Sequence, residues 1–101
     1  MTESFETSLW VNDTAVDLSA FVEEFLARTV VGAVSSLKGA EDMRNLELYV
    51  EEGYVRVIVN GKEIELTPFP NDAIANTVTG LVSTLKDVDK AEKVKITVKV
   101  L

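Results

Sequence analysis

The chain of 101 residues contains no cysteine and no histidine. Without cysteine it can form no disulfide bond, no thiolate metal site and no thiol nucleophile. Without histidine it lacks the commonest general base and the commonest transition-metal ligand. These two absences exclude most of the familiar catalytic and metal-binding arrangements, and we expect neither a cofactor nor a metal site.

Basic residues and long apolar runs are also scarce. The ten lysines and arginines are outnumbered by seventeen acids, which gives a formal net charge of −7. Binding to phosphate backbones depends on basic residues, so nucleic acid is not an expected partner. No apolar run approaches the roughly 18–20 residues that cross a bilayer, and the acidic first residues do not resemble a secretion signal. We therefore expect a cytoplasmic globular protein that does not bind membranes.

Catalytic motifs are absent from the sequence as well. It has no phosphate-binding glycine loop, no nucleophile elbow and no metal-ligand spacing. Acidic pairs occur, but none has the spacing of a calcium-binding loop. Repeated serine and threonine hydroxyls lack an accompanying base, so a nucleophilic serine is not expected. We predict a protein that is not an enzyme and has no catalytic residues.

What the chain does contain is an internal repeat. Residues 57–101 align on residues 9–53 at an offset of 48, with 13 identities in 45 positions and no gap. Chance would supply about three identities at ordinary residue usage. The repeat predicts a fused pseudo-dimer, a single domain at 1–101 made of two ββαβ repeats (about 8–53 and 54–101) with a pseudo-two-fold axis. Each repeat is too small to bury a sufficient core alone, so the two are expected to share one.

Turn residues define the first part of each repeat. Asn60-Gly61 lies between two apolar runs and predicts a hairpin, because both residue types tolerate positive φ. Asn12-Asp13 occupies the same place in the first repeat. A helix and an alternating strand follow in each case, with the helices predicted at about 20–38 and 68–86.

These elements predict an α+β fold in which an antiparallel-rich sheet, or sheets, of about six strands packs with two helices. A tight turn joins the repeats, so the last strand of the first repeat should pair with the first strand of the second. By pseudosymmetry, the last strand of the second repeat should pair with the first strand of the first. The sequence leaves open whether this makes one six-stranded sheet or two three-stranded sheets. The alternative is a ferredoxin-like βαββαβ sandwich with short extra strands.

The predicted helices carry a second stripe of small residues beside the apolar core stripe. We consider this stripe a candidate helix–helix contact, with the glycines allowing close approach, or the lining of a small-ligand pocket at the repeat interface. A simpler interpretation is that the hydroxyls bond back to the preceding turn. The candidate residues are Thr29, Gly32, Ser36, Thr77, Gly80 and Thr84.

Three apolar or aromatic residues are predicted on the sheet face that the helices leave uncovered. Strand alternation places Trp10, Tyr49 and Ile58 opposite to the core-facing residues. Tryptophan and tyrosine commonly anchor interfaces, so these three are the interface candidates. The competing interpretation is that residues 1–8 fold over Trp10 and cover it.

Charge is divided unevenly between the two halves of the chain. Residues 1–53 hold eleven acids and three bases, and residues 54–101 hold six acids and seven bases. We expect a non-catalytic protein–protein interaction or assembly module that binds a protein partner or associates with itself as a homo-oligomer, most simply a homodimer. The acidic half could steer a basic partner. The alternative is a regulatory domain that binds a small ligand.

Overall fold

A computed structural model describes residues 4–85, 88 and 90–101 of the protein. Eight elements follow one another in the order ββαβββαβ. The strands are β1 (Phe5–Val11), β2 (Thr14–Val16), β3 (Asn45–Glu51), β4 (Tyr54–Val59), β5 (Lys62–Ile64) and β6 (Lys93–Val100). The helices are α1 (Ala20–Ser35) and α2 (Pro68–Val82).

All six strands belong to one antiparallel sheet with the order β2-β1-β6-β3-β4-β5. The predicted pairings of β3 with β4 and of β6 with β1 are both present. The strands that follow the helices, β3 and β6, are the central pair. A ferredoxin-like sandwich instead has the strands that precede the helices at its centre, so that alternative is not adopted by this chain.

Two-residue turns close the three hairpins of the sheet. Both residues of each turn have positive φ, between 50° and 81°. This conformation matches the right-handed twist of the strands and favours asparagine and glycine. The turns that the sequence predicts are therefore confirmed at Asn12-Asp13 and Asn60-Gly61, and a third lies at Glu52-Gly53.

The two helices begin where the sequence predicts and end earlier. The Ser19 hydroxyl accepts a hydrogen bond from the Val22 backbone N–H at 3.2 Å and caps α1. Pro68 opens α2, where its missing N–H leaves no helix bond unmade. The predicted limits of 38 and 86 are wrong, since α1 ends at Ser35 and α2 at Val82; residue 86 itself lies outside the described residues.

One hydrophobic core lies between the sheet and the two helices. Strand residues alternate, so that Leu48 and Ile96 of the central strands are completely buried on the helix side. Leu26 and Val30 of α1 and Val78 of α2 pack onto them from the other layer. At about 25 cal/mol per Å² of buried apolar surface, this is the main stabilising contribution. No described element covers the opposite face of the sheet.

Candidate interaction surface on the open face of the sheet

The open face of the sheet carries the three interface candidates. Trp10, Tyr49 and Ile58 are each partly buried, whereas their strand neighbours on the helix side are buried. The predicted parity of these residues is therefore confirmed. The side chains that surround these residues on the open face indicate what the residues can bind.

Aromatic and cationic side chains alternate in a row across four neighbouring strands. Register places Trp10 of β1 beside Lys95 of β6, and Lys95 beside Tyr49 of β3. Arg56 of β4 stands beside Tyr49 on the other side. Because directly opposed residues lie about 5 Å apart at Cβ, each cation can reach a neighbouring ring. We call these four residues the aromatic–cation row.

The cations of the row lie over the ring faces. The Lys95 Nζ atom is 4.9 Å from the centre of the Trp10 ring and 5.6 Å from that of Tyr49. The Arg56 guanidinium carbon is 5.6 Å from the Tyr49 ring centre. Each of the two Lys95 contacts stabilises by about 0.5–1 kcal/mol. The cations also hold the rings in place.

Acidic side chains fix the far end of the row. The Tyr49 hydroxyl donates a hydrogen bond of 2.9 Å to the Glu47 carboxylate. This bond is the main cause that raises the pKa of Tyr49 above 10.0, and burial of the phenol adds to it. Arg56 forms an ion pair with Glu63 of β5 at 3.2 Å, which raises the pKa of the guanidinium further.

A shallow depression of about 230 Å³ lies beside the row, between the tryptophan and the tyrosine. Lys93 and Asp13 approach each other to 3.7 Å at its rim. The other lining residues are Val50, Glu51, Val94 and Lys95. It is open to solvent and small for a drug-sized ligand, whose sites measure about 300–1,000 Å³. The depression suits an anchoring side chain better than an independent ligand.

The competing interpretation, in which residues 1–8 cover Trp10, is wrong for the described part of that segment. Phe5 and the residues that follow it form β1 and extend along the sheet beside β6. Residues 1–3 lie outside the described residues. The Lys95 amine lies over the ring of Trp10.

The edges of the sheet offer no long free strand to a partner. The edge strands β2 and β5 have three residues each. Where β2 ends, the Glu23 carboxylate of α1 accepts the N–H of Thr7 at 3.0 Å. Where β5 ends, Asn71 of α2 accepts the N–H of Val55 at 2.8 Å. Short and capped edges discourage strand addition, so the flat face is the more accessible surface of the sheet.

The small residues of the helices do not lie between the helices. Gly32 and Gly80 are exposed, and a Cβ built on either would meet nothing within 4 Å. The hypothesis that these glycines allow close approach of α1 and α2 is therefore wrong. The stripe that includes Thr29 and Thr77 faces outward, because each helix lays its apolar stripe on the sheet.

Hydroxyls of this stripe bond to their own helices, as the simpler interpretation predicts. Thr29 donates to the carbonyl of Phe25 at 2.7 Å, and Ser36 donates to that of Ala33 at 2.8 Å. Thr84 donates to a carbonyl one turn back in the same way. That interpretation is confirmed for these residues.

Sequence reasoning missed two parts of the molecule's surface. Arg56 was not singled out, although its position opposite Tyr49 follows once the β3–β4 turn fixes the register. The strong exposure of Phe21 and Phe69 was also missed. Their identical places in the two halves of the alignment were the available indication.

Neither helix among the described residues is long and apolar enough to cross a membrane. Within residues 4–85, 88 and 90–101, no three acidic side chains converge in a way that could hold a metal ion. Comparisons of the chain with known protein families, with curated proteins and with solved structures found no match.

Proposed function

We propose that this chain is a non-catalytic module that binds another protein through the open face of its sheet. The observation that carries the proposal is the aromatic–cation row on a face that no described element covers. Tryptophan, tyrosine and arginine are the residues most enriched among interface anchors, and Trp10, Tyr49 and Arg56 lie together in this row. The proposed compartment is the cytoplasm, in keeping with the absence of cysteine.

The contacts within the row support a binding role because they pre-order its side chains. Rings held between cations and a carboxylate lose less conformational freedom when a partner packs on them. Lysines line the central strand β6, and Glu47 and Glu51 line its neighbour β3 on the same face. Adjacent rows of opposite charge favour one orientation of a partner over the reverse.

The experiment uses the protein as bait in an extract of its source organism. The test variant carries Trp10→Ala with Tyr49→Ala, and the matched control carries Lys38→Ala, an exposed change beyond the end of α1. We expect at least one protein to be captured by the wild type and the control but not by the test variant. Each such protein is then purified and titrated against the wild type, with the emission of Trp10, the chain's one tryptophan, as the readout.

A captured protein that shifts Trp10 emission in proportion to complex formed supports the proposal. Capture of the same set of proteins by all three baits contradicts it. So does a purified protein that binds with unchanged affinity when both aromatic side chains are removed.

We also propose that the fold is a fused pseudo-dimer, whose halves are related by a two-fold pseudosymmetry. Support comes from asparagines at equivalent turns. Asn12 accepts the N–H groups of Glu92 and Lys93 and donates to the Lys90 carbonyl. Asn60 makes the same three bonds with residues 44, 45 and 42, each 48 positions earlier than its counterpart.

The capped sheet edges support the same proposal. Glu23 and Asn71 are also 48 positions apart, and they accept N–H groups from Thr7 and Val55, which share that offset. If the halves form one cooperative body, residues 8–53 and 54–101 expressed separately will be unfolded by circular dichroism. Either half folding stably as a monomer contradicts the proposal.

A further inference from the structure

Large aromatic side chains project from the outer side of the helix layer. Phe21 is 72% exposed and Phe69 is 80% exposed, and the two occupy matching places near the starts of α1 and α2. Phe25, one turn after Phe21, is 48% exposed, and the two rings lie 5.6 Å apart. Single exposed apolar residues are ordinary, but phenylalanines exposed at the same place on both helices favour a surface that contacts a partner.

The first turns of the helices carry exposed charges, including the Glu24–Arg28 ion pair at 3.3 Å, but the later turns are uncharged. No charged residue occurs in α1 from Thr29 to its end, or in α2 from Ala73 to its end. Exposed glycine, alanine, serine and threonine occupy the surface, so another helix could approach closely. A protein with a net charge of −7 repels copies of itself. That repulsion is weakest where the surface is neutral, which favours contact between two copies across their helix layers.

We infer that two copies of this chain associate through the outer faces of α1 and α2, with α1 of each copy packed on α2 of the other. Phe25 of α1 corresponds to Ala73 of α2 in the alignment, so the surface supplies both a large side chain and the gap that can receive it. Alternating large and small residues across facing positions allow helices to interdigitate. A two-fold dimer uses each such pair twice, because the same patch serves both copies.

The exposed phenylalanines supply about half of the area that such a dimer needs on each partner. The exposed parts of Phe21, Phe25 and Phe69 together equal about two whole phenylalanine side chains, or roughly 400 Å². A standard interface buries about 800 Å² on each partner. The small residues between the phenylalanines on two helices of 15 and 16 residues can supply the remainder.

Sedimentation velocity across a wide concentration range tests the association directly. We expect the wild type to be a dimer and Gly80→Lys to be a folded monomer. The lysine side chain has open space in the single chain and is a better helix former than glycine. In the dimer it would bury an unpaired charge, so we expect self-association to weaken by about 100-fold or more. Ser8→Lys, which adds the same charge to the open face of the sheet, should leave the dimer intact.

Cross-linking tests the pairing of the helices, since the natural chain has no cysteine to compete. Phe25→Cys and Ala73→Cys chains are mixed under mild oxidation, beside each variant alone. We expect the mixture to form disulfide-linked dimers faster than either variant alone, because in the inferred dimer position 25 of one copy faces position 73 of the other.

A wild type that is monomeric at all concentrations overturns the inference. Loss of the dimer in Ser8→Lys with retention in Gly80→Lys also overturns it and would assign self-association to the sheet face. A monomer that binds neutral phosphatidylcholine vesicles through Phe69 would assign the helix surface to a membrane instead. Because Gly80→Lys leaves the sheet face unchanged, it still captures the partner protein if the proposed function is correct and only this inference fails.

Discussion

The two outer faces of this small domain differ in the side chains that surround their aromatic residues. On the open face of the sheet, Trp10 and Tyr49 lie beneath the cationic groups of Lys95 and Arg56. On the helix layer, Phe21, Phe25 and Phe69 are exposed, and the later turns of both helices carry small uncharged residues. Strand pairing places different residue types side by side across the sheet, whereas a helix presents residues from every third or fourth position. The first face is pre-ordered and charged, and the second is uncharged over the later turns of its helices.

Because of this difference, we propose that one surface mediates self-association and the other binds a distinct protein. A neutral apolar surface fits association with an identical, acidic chain, and a charged aromatic surface fits a distinct protein. If both proposals hold, a dimer formed through the helices directs its two sheet faces outward. Such a dimer could engage two partner sites at once, with a gain in avidity when geometry permits.

The largest expected effect comes from comparing a residue on the helix side of the sheet with a residue on its open face. Leu48 is fully buried on β3, whereas Ile58 on the neighbouring strand faces outward. We expect Leu48→Ala to lower the free energy of unfolding by about 2–5 kcal/mol, because it leaves a cavity in the core. Ile58→Ala should lower it by about 1 kcal/mol or less. Urea denaturation measures both, and equal losses would mean that the open face is covered.

The next largest effect concerns the hydrogen bonds by which a turn asparagine holds the connection between a helix and the following strand. Asn60 holds the connection from α1 to β3 through three hydrogen bonds and has a φ of 52°. We expect Asn60→Ala to cost about 2 kcal/mol, from lost bonds and a strained backbone. Asn12→Ala should cost a similar amount at the equivalent turn. The control Asn76→Ala, exposed on α2, should change stability by about 0.5 kcal/mol or less; a comparable loss there would contradict the assignment.

A smaller effect tests whether the cations order the rings. Lys95→Met keeps the apolar stem and removes the charge above Trp10 and Tyr49. We expect a loss of about 1 kcal/mol in stability and a changed Trp10 emission spectrum. Lys99→Met, near the other end of the same strand, is the matched control. Identical emission from both variants would show that the ring environment does not depend on the cation.

The smallest expected effect is a change in the pKa of Tyr49. In a Tyr54→Phe background Tyr49 is the remaining tyrosine, so ultraviolet absorbance follows its phenolate alone. We expect Glu47→Gln to lower the pKa of Tyr49 toward 10.0, because the variant lacks the carboxylate that accepts the hydrogen bond of the phenol. The natural bond stabilises the fold fully below pH 10.0, and this contribution is lost as the pH rises through the raised pKa. An unchanged titration would exclude the bond.

Much of this fold could be predicted from local rules. Positive-φ turn residues such as Asn60 fixed the hairpins, and strand alternation placed Tyr49 on the open face. Helix ends could not be predicted, because the core stripe of α1 continues in sequence to Leu37 although the helix stops at Ser35. The outward position of Gly32 was also beyond sequence reasoning. Whether the second stripe of a helix meets another helix or solvent depends on how the whole layer packs.

Because the first strand pairs with the last, the chain is suited to circular permutation. The Leu101 N–H donates to the Ser4 carbonyl at 2.9 Å, so the two ends of the fold are neighbours. A short linker could join the ends, and the chain could be opened instead at the exposed turn of Glu52 and Gly53. Such a circular permutant would keep every strand neighbour of the sheet while exchanging the order of its halves.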